Sequence, residues 1–302
     1  MNGLRAAACA ALMVTAPGAV WGFEGTLKLR TVSVERDQLS KITGGKAPDA
    51  EQTLALSADK LLAAKDAGAQ MRESMMYVSG NKVRMDTPLD KSKDGYAIID
   101  TDKNTTWFVV PGEKRYIEWS EADAKAMGEK MAQVEKMLKE RMGSLPPEQR
   151  TQVEAMLKNM KGAEDGQAAK VDIKPTGKTQ TVNGMQAAAY EVKTGDETMV
   201  GWVTQDQPEL SKMLRTVQER MEKMTPASMR GRQSARTSLS EKGFPVMVQT
   251  LDPGHYRVEE VTAVEKKPVS ADLFVVPKDF AKTTGRDAMN AIPDKGEKAE
   301  KP

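Results

Sequence analysis

Met71-Arg-Glu-Ser-Met-Met-Tyr-Val78, then Ser79-Gly80-Asn81, then Lys82-Val-Arg-Met-Asp86 is the stretch whose reading decides the fold. Two short runs that suit a pleated surface flank three residues of turn chemistry, which predicts a β-hairpin. The pattern then repeats. Tyr96 to Thr101 and Thr105 to Val110 flank Asp102-Lys103-Asn104, and Pro111-Gly112-Glu113 leads into Arg115 to Trp119. Short strands joined by tight turns pair antiparallel, so this part of the chain reads as a meander.

Working outward, Phe23 to Val34 alternates Leu27 and Leu29 with Thr26, Lys28 and Arg30, the mark of a half-buried strand. Residues 50 to 67 place Leu54, Ala58, Leu61 and Leu62 on one helical face, with Gly68 as the stop. From Ser120 the period changes: Met127, Met131, Val134, Leu138 and Met142 form one stripe, and Leu145-Pro-Pro-Glu148 restarts a helix. This predicts an inserted, methionine-rich helical hairpin over about 120–161. Strand signals resume at Ala169 to Lys174, Lys178 to Val182, Gln186 to Lys193 and Thr198 to Thr204, with Asn183-Gly184 as a hairpin turn. A helix follows over Pro208 to Met224, and Thr225 to Ser238 reads as a flexible Ser, Arg and Gly stretch. Phe244 to Leu251 and Tyr256 to Lys267 then pair across Asp252-Pro253-Gly254. The class is α+β with an antiparallel sheet. Trp107 to Val110 and Leu273 to Val276 are apolar at every position, so the sheet needs cover on both sides there, with helices as the candidates.

At the amino terminus, Arg5, the apolar stretch Ala6 to Ala16 and Val20-Trp21-Gly22 have the layout of a cleaved secretory signal over residues 1–22. The apolar stretch is too short to span a bilayer, which takes about 20 residues. The expected product is a periplasmic protein, not transmembrane after cleavage, with one domain over 23–281 and a charged, disordered tail over 282–302. Cleavage removes Cys9, the only cysteine, and with it any disulfide or thiol chemistry. The 45 basic residues, one of them Arg5, stand against 43 acidic ones of interspersed sign, so no basic field points to nucleic acid.

Catalytic constellations are short of members. The single histidine, His255, lies beside the Asp-Pro-Gly turn, and no H-E-x-x-H, G-x-S-x-G or phosphate-cradling glycine loop occurs. Asp100 and Asp102 are acids at a turn, without a partner set for acid/base work. The reading is therefore a non-enzyme with no catalytic residues, no metal site and no cofactor. Methionine is the compositional oddity: 20 residues, of which only Met1 and Met13 fall in the leader. These thioethers read as core packing, as an adaptable hydrophobic binding surface, or, third, as cuprous copper ligands such as Met221 and Met224.

Several ordered segments resemble a known family of exported bacterial domains of unknown function: Tyr77 to Asp86, Ile98 to Lys103, Lys114-Arg-Tyr116, Val182-Asn-Gly184 with Tyr190-Glu-Val192, Gly243-Phe-Pro245 and Leu273 to Pro277. That family is similar in turn to the outer-membrane lipoprotein carrier superfamily, the LolA-like fold. Ala187 to Ala189 stand where relatives often carry a cysteine, so no redox role carries over. The resemblance, over about 23–280, implies a curved antiparallel half-barrel with helices on its concave side and an apolar cavity between them. The expected function is binding of a hydrophobic ligand such as a lipid or acyl chain. Met127, Met131, Met213, Leu214 and Met221 are the expected adaptable wall, with Trp107 and Trp202 from the sheet. The alternative is a protein-interaction or chaperone-like module in which the hairpin meets an envelope protein partner.

Overall fold

The computed structural model describes residues 22–90, 93–142, 150, 171–194, 197–225 and 230–285; the expected leader through residue 21, the second arm of the expected hairpin apart from residue 150, and the expected tail beyond 285 lie outside them. Twelve strands form one open, curved sheet: β1 (Gly25–Glu35), β2 (Gln70–Ser79), β3 (Lys82–Asp90), β4 (Lys93–Asp100), β5 (Thr105–Val110), β6 (Arg115–Ser120), β7 (Asp172–Val182), β8 (Met185–Thr194), β9 (Glu197–Thr204), β10 (Phe244–Leu251), β11 (His255–Lys266) and β12 (Ala281–Thr284). Their order is β12-β6-β5-β4-β3-β2-β1-β11-β10-β9-β8-β7, and only β12 on β6 is parallel. The predicted hairpins are all present. Asn183 and Gly184 both adopt positive φ, at 48° and 83°, which a two-residue turn between right-twisted strands requires.

Helices and loops cover both faces. On one face lie α5 (Pro208–Lys223) and α6 (Arg230–Glu241), hereafter the helix face. Leu210, Met213 and Val217 of α5 are buried in the main core, and its carboxyl end is fixed where Trp119 Nε1 donates to the Met224 carbonyl at 2.8 Å. The opposite face is covered in two parts. The short helices α1 (Leu39–Ile42), α2 (Ala50–Leu54) and α3 (Ala58–Ala63) lie over β1, β11 and β10, and residues 267–280 lie over β3 to β6. The buried Tyr256 hydroxyl anchors the first part, donating to the Leu56 carbonyl at 2.7 Å and accepting from Gln249 Nε2 at 3.0 Å.

Several expectations change. Residues 50–67 are not one helix: Ser57 caps a new start by accepting from the Lys60 amide, and the segment breaks into α2, α3 and a 3-10 turn that stops at Gly68 (φ 64°), as expected of that glycine. Of the stretch Thr225 to Ser238, expected to be flexible, residues 226–229 lie outside the described ones and Arg230 onward is helical. Within it and just beyond, α6 buries Ala235 and Leu239 against Val192, Met199, Val203 and Val248, too thin a stripe to show as a period. Leu273 to Val276 is no strand: Ala271–Phe274 is a 3-10 turn whose Phe274 is pressed on Tyr96, Ile98 and Val109, which explains an apolar run without alternation. The two expected strands at 169–182 are one, β7, with an irregularity between Pro175 and Thr179. Lys282 to Thr284 belong to β12, so those residues of the expected tail are ordered by pairing with β6. The first arm of the expected hairpin is a helix, α4 (Glu121–Met142), started by Ser120 and Asp123 exchanging side-chain and backbone hydrogen bonds. No described helix is long and apolar enough to cross a membrane.

The docking of α6 rests on a missing side chain in β9. A Cβ at Gly201 would stand 2.5 Å from the Leu239 methyl carbon. Gly201→Ala is expected to cost about 1–3 kcal/mol, as overpacking does. In a Leu239→Ala background the same substitution should cost clearly less, and urea denaturation of the four proteins checks this.

Candidate functional site

Side chains alternate along a strand, so register decides which residues meet on the helix face. Across the three central strands, β2, β1 and β11, that face is built in rows. Met76, Leu27 and Val264 form the first row, and Ser74, Leu29 and Val261 the second. Arg72, Thr31 and Glu259 form the third, Gln70, Ser33 and Arg257 the fourth, and Glu35 with His255 the last. Polarity therefore rises steadily along the strand axis.

Two cavities follow that gradient. The apolar one, of about 320 Å³, lies between the sheet and α5, with Leu27, Leu29, Met76 and Met85 as floor and Met213 and Leu214 as roof. The polar one, of about 680 Å³, lies over Thr31 and Ser33 and is bounded by Arg72, Arg257, His255 and Asp66. Thr31, Ser74 and Glu259 line both, so the two adjoin end to end, together a trough along β1. Both volumes fall in the range of small-molecule sites, about 300–1,000 Å³. Two polar features mark the apolar end. Gln218 of α5 lines it with a side-chain amide oxygen that is buried and without a hydrogen-bond partner among the described residues. At the junction, Arg236 of α6 holds Glu259 through two nitrogens at 2.8 and 3.0 Å. Burial would push the Glu259 carboxyl up, but the Arg236 guanidinium, helped by Arg257, outweighs it and holds the group below the usual carboxylate range.

The expected site residues divide three ways. Met213 and Leu214 line the apolar cavity, and Met221 packs partly buried on the same helix. Met127 and Met131 sit half-buried on α4, which meets β6, and line neither cavity. Trp107 and Trp202 are on the opposite face. Trp107 Nε1 donates to Glu118 at 3.0 Å beneath residues 267–280, and Trp202 Nε1 donates to Gln249 at 2.8 Å beneath α2 and α3. Their strand parity, readable once the register is known, separates them from the methionine wall. Sequence reasoning missed Gln218, Arg236 and the Arg72, Arg257 and Glu259 rows, whose meeting depends on strands far apart in the chain. His255, beside the Asp-Pro-Gly turn, is exposed and stands at the rim of the polar cavity. Asp100 is buried and accepts from the amides of Asp102 and Lys103, both at 3.1 Å, an architectural role in its turn.

The Glu259 pair makes stability depend on pH. A carboxyl held lower in the folded chain than in the unfolded one contributes stability above the unfolded value, and that contribution disappears as pH falls through the folded one. Glu259→Gln should therefore lose less stability than the wild type on acidification below the ordinary carboxylate range. Denaturant midpoints across a pH series measure this, and parallel acid limbs would contradict it.

A search of curated proteins finds no match. Among solved structures, two titled for PNGF-II, in the C2 and P21 space groups, share 11% and 10% identity with 88% of this chain, at TM-scores of 0.35 and 0.36. The chain spans about a third of their length, 32% and 33%, and likeness this slight carries no argument. A family model, by contrast, matches residues 123–280, from early α4 through β11 to the end of the 267–280 segment. That is just over half of the sequence, and the chain belongs to this family, the Domain of unknown function (DUF4412).

Proposed function

We propose that this chain is a non-enzymatic, exported protein of the cell envelope that binds a hydrophobic ligand such as a lipid or acyl chain in the cavity between the sheet and α5. The observation that carries the reading is the apolar cavity with the unpartnered Gln218 oxygen on its wall. A buried amide oxygen left unmatched costs about 1–3 kcal/mol, and a ligand that brings a hydroxyl or N–H removes that cost. An apolar volume with a few placed polar groups is the usual make-up of a small-molecule site. Met76, Met85 and Met213 add adaptability, because the unbranched thioether can refit to guests of different shape. The leader-like residues 1–22 and the resemblance to lipoprotein carriers support the location and the ligand class. Of the residues expected from sequence, Met213 and Leu214 remain in the proposed wall; Leu29, Met76 and Met85 take the place of Trp107 and Trp202.

The test is native mass spectrometry of protein purified from the periplasm, with lipid extraction of the same sample. A retained lipid-sized adduct is expected. Ser74→Phe, which puts a ring into the neck between the two cavities, should weaken binding of a fluorescent fatty-acid probe about tenfold or more while leaving circular dichroism unchanged. No adduct together with no probe binding, or probe binding equal in wild type and variant, would overturn the reading.

A further inference from the structure

The polar half of the trough bears on the ligand's other end, an inference that rests on the proposed use of the apolar half. Moving out from Leu29 along β1, the first charged neighbours are Arg72 and Glu259, flanking Thr31. Glu259 is already held by two nitrogens of Arg236, so its charge is spoken for. Arg72 has no ion pair among the described residues, and Arg257 reaches Glu259 only at 3.7 Å. The two arginines stand on β2 and β11 with β1 between them and one row apart, about 12 Å from each other at the backbone, a gap two arginine side chains can close on one anion. The hydroxyls of Thr31 and Ser33 lie on the floor between them. One row further out, roughly 7 Å along the strand, the sign reverses: Glu35 lines the cavity, and Asp66 joins it from the rim.

An apolar wall, then two arginines on successive rows with the neighbouring Glu259 neutralised by Arg236, then a rim where Glu35 and Asp66 stand beside His255, is the order of groups in a zwitterionic phospholipid: acyl chain, phosphate, ammonium. We infer that the trough binds a zwitterionic phosphate-bearing amphiphile lengthwise, with its chain under α5, its phosphate between Arg72 and Arg257 over Thr31 and Ser33, and its ammonium toward Glu35 and Asp66. A purely anionic head would meet the same arginines but leave the two carboxylates facing it. A neutral head would leave both rows uncompensated.

The test uses three probes with one lauroyl chain, each below its aggregation concentration: lysophosphatidylethanolamine, lysophosphatidylglycerol and monoacylglycerol, titrated by calorimetry into the full-length chain. Affinity is expected to fall in that order. Arg72→Gln with Arg257→Gln should weaken the two phosphate-bearing probes about tenfold, the loss of one good charge-assisted contact, and leave the monoacylglycerol unchanged. Glu35→Gln with Asp66→Asn should weaken only the ethanolamine probe. All four residues are at the surface or part-exposed, and circular dichroism checks that the variants fold. Equal wild-type affinity for all three probes, or affinities indifferent to both double substitutions, would overturn the head-group assignment while leaving the apolar site standing. If the wild type binds none of the three, the apolar site falls as well and takes the assignment with it.

Discussion

The pairing of β1 with β11 is the constraint on which the structure depends. It joins residues 25–35 to residues 255–266, and pairs such as Arg30 with Glu260 are separated by 230 positions. On one side of the seam lie β2 to β6 and β12; on the other lie β10 to β7. Without it there are two half-sheets, each with an unpaired edge, and the trough has no floor, because its rows are read across this junction. Closing so long a loop costs entropy before any contact offsets it. Burial compensates: Leu27, Val32, Val34, Tyr256 and Val258 are essentially inaccessible to solvent.

The two faces of that seam are treated differently. Beneath α2 and α3, Tyr256, Gln249 and Trp202 form a connected network in which Gln249 accepts from the indole and donates to the Leu56 carbonyl at 3.1 Å. Each such bond nets only about 1 kcal/mol, but leaving any one of them unmade in a buried site would cost about 1–3 kcal/mol. The network therefore specifies how the 36–69 segment sits more than it adds to stability. With that face closed, the helix face can carry a cavity and, among the described residues, an unmatched Gln218 oxygen without endangering the fold. The polar network that seats the 36–69 segment and the proposed binding site thus lie on opposite sides of the same strands.

This division explains what could be read from the sequence. Alternation and turn chemistry are local, so the hairpins from Met71 to Trp119, from Lys178 to Lys193 and from Phe244 to Lys267 were legible, as were α5 and the start of α4. α6 was not, because among its described residues the buried apolar ones are Ala235 and Leu239, in a sequence of Arg, Ser and Gln. Leu273 to Val276 was legible as buried but not as a turn, since an apolar run without period is compatible with either. For the site, composition pointed to Met213 and Leu214 on the strength of the helical stripe. The tryptophans misled because hydrophobicity alone does not say which face of a strand a residue occupies. Parity does, but only once the register is known, and the β1 to β11 register joins segments that no local pattern connects.

The least legible helix has the largest effect on the charge of the trough. Glu259 lies in the third row, beside the place assigned to a phosphate, and an uncompensated carboxylate there would repel it. Arg236 cancels that charge in a two-pronged geometry that Lys could not reproduce. Arg236 reaches Glu259 only because α6 lies flat on β9, and α6 lies flat because position 201 has no side chain to hold Leu239 away. A glycine in one strand thereby bears on the charge balance of a site two strands away. The preference for an anion followed by a cation then resides in how α6 docks as much as in Arg72 and Arg257 themselves.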